Sequence, residues 1–124
     1  MFMTVDPNDR RPIYEQVADE IKASIARGEL APGAALPSVR RLAADLGVKM
    51  NTIAIAYRHL QSDGLITLKR GSVPTVASPL AFRAGEEELR KALKNALTSL
   101  VLAGLPSRRI IELVIEELGD LRRI

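Results

Sequence analysis

A chain of 124 residues has room for one compact domain plus an accessory element, which excludes a large multidomain enzyme. Hydrophobic residues make up 47% and charged residues 27%, a composition able to bury a core, and aromatics at 3% require that core to be aliphatic. With no cysteine there are no disulfides or thiolate nucleophiles, a single histidine argues against His-based metal clusters and triads, and a net charge of +3 by itself identifies no partner.

The first residues lack a basic region followed by an apolar run, and no apolar stretch approaches the roughly 20 residues of a bilayer span. A cytoplasmic protein is expected. Pro12 suits the first position of a helix, and Tyr14, Val17, Ala18, Ile21 and Ile25 then recur at helical spacing until Gly28. That spacing predicts a helix over about 12–27. Leu30 to Gly33 reads as a turn, and Ala34 to Leu36 as extended chain before Pro37. Ser38 is placed to cap a short second helix that carries Val39, Leu42, Ala43 and Leu46 inward and stops at Gly47. A third helix, reaching about Ser62, turns Ile53, Ala56, Tyr57 and Leu60 to one face.

Two short helices joined by a tight glycine-containing turn are the signature of a helix-turn-helix. After the Asp63-Gly64 turn, Leu65 to Leu68 reads as a strand, Lys69 to Ser72 as a hairpin tip and Val73 to Ala77 as the returning strand, with Pro74 restricted to an edge. Three helices and this hairpin predict a mainly α fold with a small β-hairpin, a winged helix-turn-helix over residues 1–79. Residues 80–124 form a helical appendix. Its first helix opens on Glu86, Glu87 and Glu88, which suit the helix dipole, and aligns Leu89, Ala92, Leu93, Ala96, Leu97 and Leu100. Gly104 to Pro106 breaks it, and Ser107 can cap the last helix.

In that last helix Ile110, Ile111, Leu113, Val114, Ile115, Leu118 and Leu121 span an arc of about 200°, twice the stripe that one buried side requires. The excess predicts a homodimer through Leu89, Leu93, Leu97, Leu100, Ile110, Ile111, Val114, Ile115 and Leu118. The alternative is a monomer in which both helices pack back on the winged unit.

Charge resolved along the chain is more informative than its sum. Residues 1–36 carry −2, residues 37–79 carry +4 and residues 80–124 carry +1. The positive segment holds Arg40, Arg41, Lys49, Arg58, Lys69 and Arg70 against Asp45 and Asp63. In a winged helix-turn-helix these elements face DNA, where cations neutralise phosphates and the recognition helix enters the major groove.

Pro12-Ile13-Tyr14, Gly28-Glu29-Leu30 with Pro32-Gly33, Leu36 to Arg40, Leu42-Ala43, Leu46 to Val48, Asn51-Thr52, Ala56-Tyr57 and Gly64-Leu65 together resemble the DNA-binding domain of GntR-family bacterial transcriptional regulators. The two-helix tail further resembles the YtrA-type subfamily, whose short tails dimerise. The resemblance implies that Arg40 contacts DNA from the second helix, that Asn51 and Thr52 begin the recognition helix, and that Arg70 and Gly71 form a wing reaching the minor groove. Chemistry supports these roles independently: a guanidinium at Arg40 grips a phosphate or guanine edge bidentately, Asn51 can pair with adenine, and Gly71 allows close backbone approach. Ser38 and Ser72 complete the contact set, and Lys49, Arg58 and Lys69 join Arg40 as phosphate ligands.

The sequence departs from the family pattern where Lys49 replaces Ser or Thr and where Met50, Ala54 and Ile55 stand at positions that often carry Arg. The usual Gly-x-Gly-Thr-Phe wing becomes Gly71-Ser72-Val73-Pro74-Thr75. Base readout is therefore expected to be apolar and to lean toward A·T, with Met50 or Ile55 touching thymine methyls. The expected function is operator binding by a homodimeric regulator, a repressor, with no catalysis, metal, cofactor or membrane partner. No effector is indicated. The rival reading is a winged-helix protein-interaction adaptor, favoured by the apolar Met50, Ala54 and Ile55.

Overall fold

The computed structural model describes residues 4–78, 82 and 84–122, and the chain divides into two compact units, Met1–Phe82 and Arg83–Ile124. The boundary expected at residues 79 and 80 lies outside the described residues. In the first unit helix α1 spans Ile13–Ala26, α2 Val39–Leu46 and α3 Met50–Ser62. Strands β1 (Ile66–Thr67) and β2 (Thr75–Val76) follow. The second unit consists of α4, Glu86–Leu102, and α5, Ser107–Arg122. The chain is mainly helical with one small antiparallel sheet, as its residue pattern predicts.

Helix α3 is the centre of the winged unit because it packs against α1, α2 and β1. Its Ile53, Ala56, Tyr57 and Leu60 are fully buried, joined by Val17 and Ile21 from α1, Leu42 and Ala43 from α2, and Leu36 and Ile66. Each large side chain in that set contributes about 1.5–3 kcal/mol by leaving water. Tyr57 also donates its hydroxyl to the Pro37 carbonyl oxygen at 2.7 Å, joining α3 to the approach to α2.

The helix-turn-helix is closed by local chemistry. Ser38 Oγ accepts from the Arg41 N–H at 3.1 Å and caps α2. Gly47 ends α2 with φ 68°, a left-handed conformation that costs a side-chain-bearing residue more than glycine. Two expectations shift at helix starts. Pro12 is the N-cap of α1, not its first residue, because its carbonyl already accepts from Glu15 and Gln16 while its own backbone is extended at ψ 147°. Ser107 is the first residue of α5, and the preceding Pro106 carbonyl accepts from Ile110.

The hairpin is shorter than the apolar runs suggest, with Ile66 facing Val76 and Thr67 facing Thr75. Nor is Pro74 on an open edge. The Leu36 N–H donates to the Pro74 carbonyl at 2.8 Å, Val76 N–H to Ala34 at 2.9 Å, and Ala35 bridges Thr75. The second strand therefore has neighbours on both sides. Pro74 is tolerated because it immediately precedes the paired residues and supplies only its carbonyl.

Candidate nucleic-acid interface

Three exposed elements of the winged unit carry the residues singled out for DNA. At the start of α2, Ser38 and Arg40 are exposed. The Ser38 oxygen is engaged in capping, which leaves its hydroxyl proton free to donate. At the start of α3, Lys49 occupies the N-cap position and makes no side-chain cap, while its carbonyl accepts from the Thr52 N–H at 3.1 Å. Met50 is 48% exposed and Asn51 is exposed, whereas Thr52, Ala54 and Ile55 are half-buried. Arg58 is exposed two turns further along and shares an open hollow of 380 Å³ with Ile55, His59, Ser62 and Asp63. His59 stacks toward α1, its ring 5.2 Å from that of Tyr14.

The third element is the hairpin tip. The Ser72 N–H donates to the Lys69 carbonyl at 3.1 Å and its hydroxyl to the same oxygen at 3.2 Å, closing a four-residue turn. Gly71 is its third residue with φ 79°, a left-handed conformation that favours glycine. Lys69, Arg70, Gly71 and Ser72 are all exposed there. Val73 extends the tip with a half-exposed aliphatic side chain, a feature that pattern reading assigned only to a returning strand.

Ion pairing sharpens the charge asymmetry. Both acids of the positive segment are neutralised, Asp45 by Arg41 at 3.9 Å and Asp63 by Lys22 of α1 at 3.0 Å. Among the described residues Arg40, Lys49, Arg58, Lys69 and Arg70 have no ion-pair partner. Five uncompensated cations thus sit on α2, α3 and the hairpin tip. Other cations are paired within the chain: Arg11 with Asp9 and Asp19, and Arg109 with Glu112 and Glu116.

The second unit presents a different surface. Leu89 and Leu93 on α4 and Ile111, Val114, Ile115 and Leu118 on α5 are exposed, Ile115 by 64%. Leu97 and Leu100 are half-buried. Ile110 departs from the expected interface: at 8% exposure it is enclosed within the single chain and has little surface left for a partner. Val101 and Leu102, 62% and 81% exposed, belong to the apolar surface although they lie off the main stripe of α4. The signal for them was the unbroken run Leu100-Val101-Leu102.

Among the described residues no group of three or more His, Cys, Asp or Glu could hold a metal ion, and no helix is long and apolar enough to cross a membrane. Compared with known proteins, residues 13–76 match the family described as bacterial regulatory proteins, gntR family. The chain belongs to the GntR family. This GntR regulator is 29% identical to the HTH-type transcriptional repressor YtrA of Bacillus subtilis over 98% of its own length and 95% of that protein's. It resembles the solved structure of a transcriptional antiterminator from Listeria monocytogenes EGD-e, with a TM-score of 0.86, 28% identity, and coverage of 98% of this chain and 92% of that one. The DNA-binding domain of AraR, solved in complex with operator ORX1, matches with a TM-score of 0.54 and 32% identity over 62% of this chain and 93% of that one. The GntR regulator is thus a YtrA-like helix-turn-helix transcription factor with a GntR DNA-binding domain, and not an enzyme.

Proposed function

We propose that this GntR regulator binds a pseudo-palindromic operator as a homodimer and represses transcription from it. The observation that carries this reading is the set of five uncompensated cations, Arg40, Lys49, Arg58, Lys69 and Arg70, on the helix-turn-helix and hairpin tip. Unpaired guanidinium and ammonium groups neutralise phosphates without first breaking an internal ion pair. Asn51 and Met50 at the exposed start of α3 supply side chains for base edges. The exposed Lys69–Ser72 turn would present Arg70 and Gly71 as a wing.

Dimerisation rests on the second unit. On α5, Ile111, Val114, Ile115 and Leu118 fall within an arc of about 100°, distinct from the side that holds the buried Ile110. Leu89, Leu93, Val101 and Leu102 add apolar surface from α4. A second copy would cover this surface and pair two winged units, with half-sites about one helical turn (roughly 34 Å) apart. Repression follows the repressor YtrA, to which the chain is similar over nearly its full length.

A gel shift on the DNA upstream of its own gene, comparing the wild-type protein with Arg40→Ala, tests the proposal. Retardation by the wild type that weakens in the variant supports it. No retardation at low salt assigns the protein to the rival class, an adaptor that uses exposed apolar residues such as Met50 to bind another protein.

A further inference from the structure

The outward face of α3 has an unusual chemical inventory. At 100° per residue, Asn51, Ile55, Arg58 and Ser62 lie within an arc of about 60°, opposite the buried Ile53, Ala56, Tyr57 and Leu60. Met50 flanks that face from the first helical position, half-exposed and flexible enough to adapt to its surroundings. Across its first two turns the helix offers one amide, a thioether, a branched aliphatic and the small side chains of Thr52 and Ala54. It carries no Arg or Lys before Arg58 and no Asp or Glu anywhere.

These absences discriminate among base pairs. In the major groove guanine is read chiefly by Arg or Lys donating to O6 and N7, and cytosine by a carboxylate accepting from N4. Adenine is read by an Asn or Gln amide, and thymine is recognised by apolar contact with its C5-methyl group. Across its first two turns α3 lacks the guanine and cytosine readers and offers one reader for adenine and two for thymine. The cations nearest to these two turns, Lys49 before the helix and Arg58 beyond them, bracket that stretch, in reach of phosphates that flank a groove. His59, the remaining imidazole, is turned to Tyr14.

We infer that α3 reads A·T base pairs, with Asn51 bonded to an adenine edge and Met50 and Ile55 packed on thymine methyl groups. This specificity rests on the operator-binding reading and defines the class of sequence that the operator contains. Guanine, where the half-site has it, is read from outside α3, and Arg40, exposed and without an ion-pair partner among the described residues, is one guanidinium equipped to do so.

The test is selection of binding sites from a random duplex library with the full chain, followed by anisotropy titrations on the selected duplex carrying single-atom changes. Replacing a contacted thymine by deoxyuridine deletes only the methyl group and leaves the protein untouched, so no folding defect intervenes. A loss of about fourfold per methyl is expected, and it should vanish for the matching thymine in Met50→Ala or Ile55→Ala. Asn51→Ala should lose about tenfold and accept other bases at one position. Indifference to every deoxyuridine substitution overturns the inference. So does a selected G·C pair whose 7-deazaguanine substitution weakens binding by the wild type but not by Arg58→Ala. Failure to enrich any sequence overturns the operator reading itself, and this inference with it.

Discussion

The Tyr57 hydroxyl donates to the Pro37 carbonyl oxygen across 2.7 Å, tying the middle of α3 to the residue that precedes the α2 cap. Tyr57 is fully buried, so the bond serves two purposes. It satisfies a hydroxyl in an apolar core, and it fixes the start of α2, where Ser38 and Arg40 stand, relative to the recognition helix.

Tyr57→Phe keeps the ring and deletes the bond. A loss of about 1 kcal/mol is expected in urea or thermal denaturation, together with weaker DNA binding because the α2 start is no longer held. Burial also pushes the Tyr57 phenol above its ordinary value of 10.0. With the folded value raised, this contribution is complete below pH about 10 and is lost as pH rises beyond it. The wild type should therefore lose stability in that alkaline range more steeply than the Phe variant. Equal pH profiles would refute this.

Gly47 has φ 68° at the end of α2, and a Cβ built there meets nothing within 4 Å. Backbone conformation is the sole cost of adding one. Gly47→Ala should lower stability by about 1–2 kcal/mol, and Gly47→Asn by less, since Asn tolerates the left-handed region. Equilibrium unfolding of the two variants side by side checks the order.

Each phosphate contact contributes to the salt dependence of DNA binding. Lys69→Ala and Arg58→Ala should each flatten the slope of log affinity against log salt by about 1, while Arg41→Ala, whose guanidinium pairs with Asp45, should change it less. Titrations at several salt concentrations read the slopes directly. Identical slopes for all three would remove the distinction between paired and unpaired cations.

Ile115 is 64% exposed on α5, so a charge there disturbs little within one chain. Ile115→Asp should shift the protein to monomers in analytical ultracentrifugation and reduce affinity for a two-half-site operator by about 100-fold or more through lost avidity. The same change at Ile110 should instead lower thermal stability, because that side chain is already enclosed. An Ile115→Asp protein that remains dimeric would exclude this face as the interface.

The helices were legible because their signals are local. The stripes of α1 and α3, the Ser38 cap and the Gly47 stop all act within four or five residues along the chain. The positive segment could likewise be counted before any fold was known. What packing adds is non-local. That Lys22 neutralises Asp63, that Tyr57 reaches Pro37, and that Ala35 bridges Thr75 depends on which faces meet.

The amino-acid sequence by itself therefore determined the elements, their order, the family resemblance and the excess of cations over residues 37–79, because periodicity, caps and charge are properties of neighbouring residues. Only the tertiary structure decided which cations remain unpaired and that β2 has neighbours on both sides. It also decided that Ile110 is enclosed while Ile111 and Ile115 are left to solvent. Helical periodicity marks an apolar face more than 100° wide without saying which part of it is covered. That outcome depends on where a second helix packs, and packing is set by side chains distant along the chain.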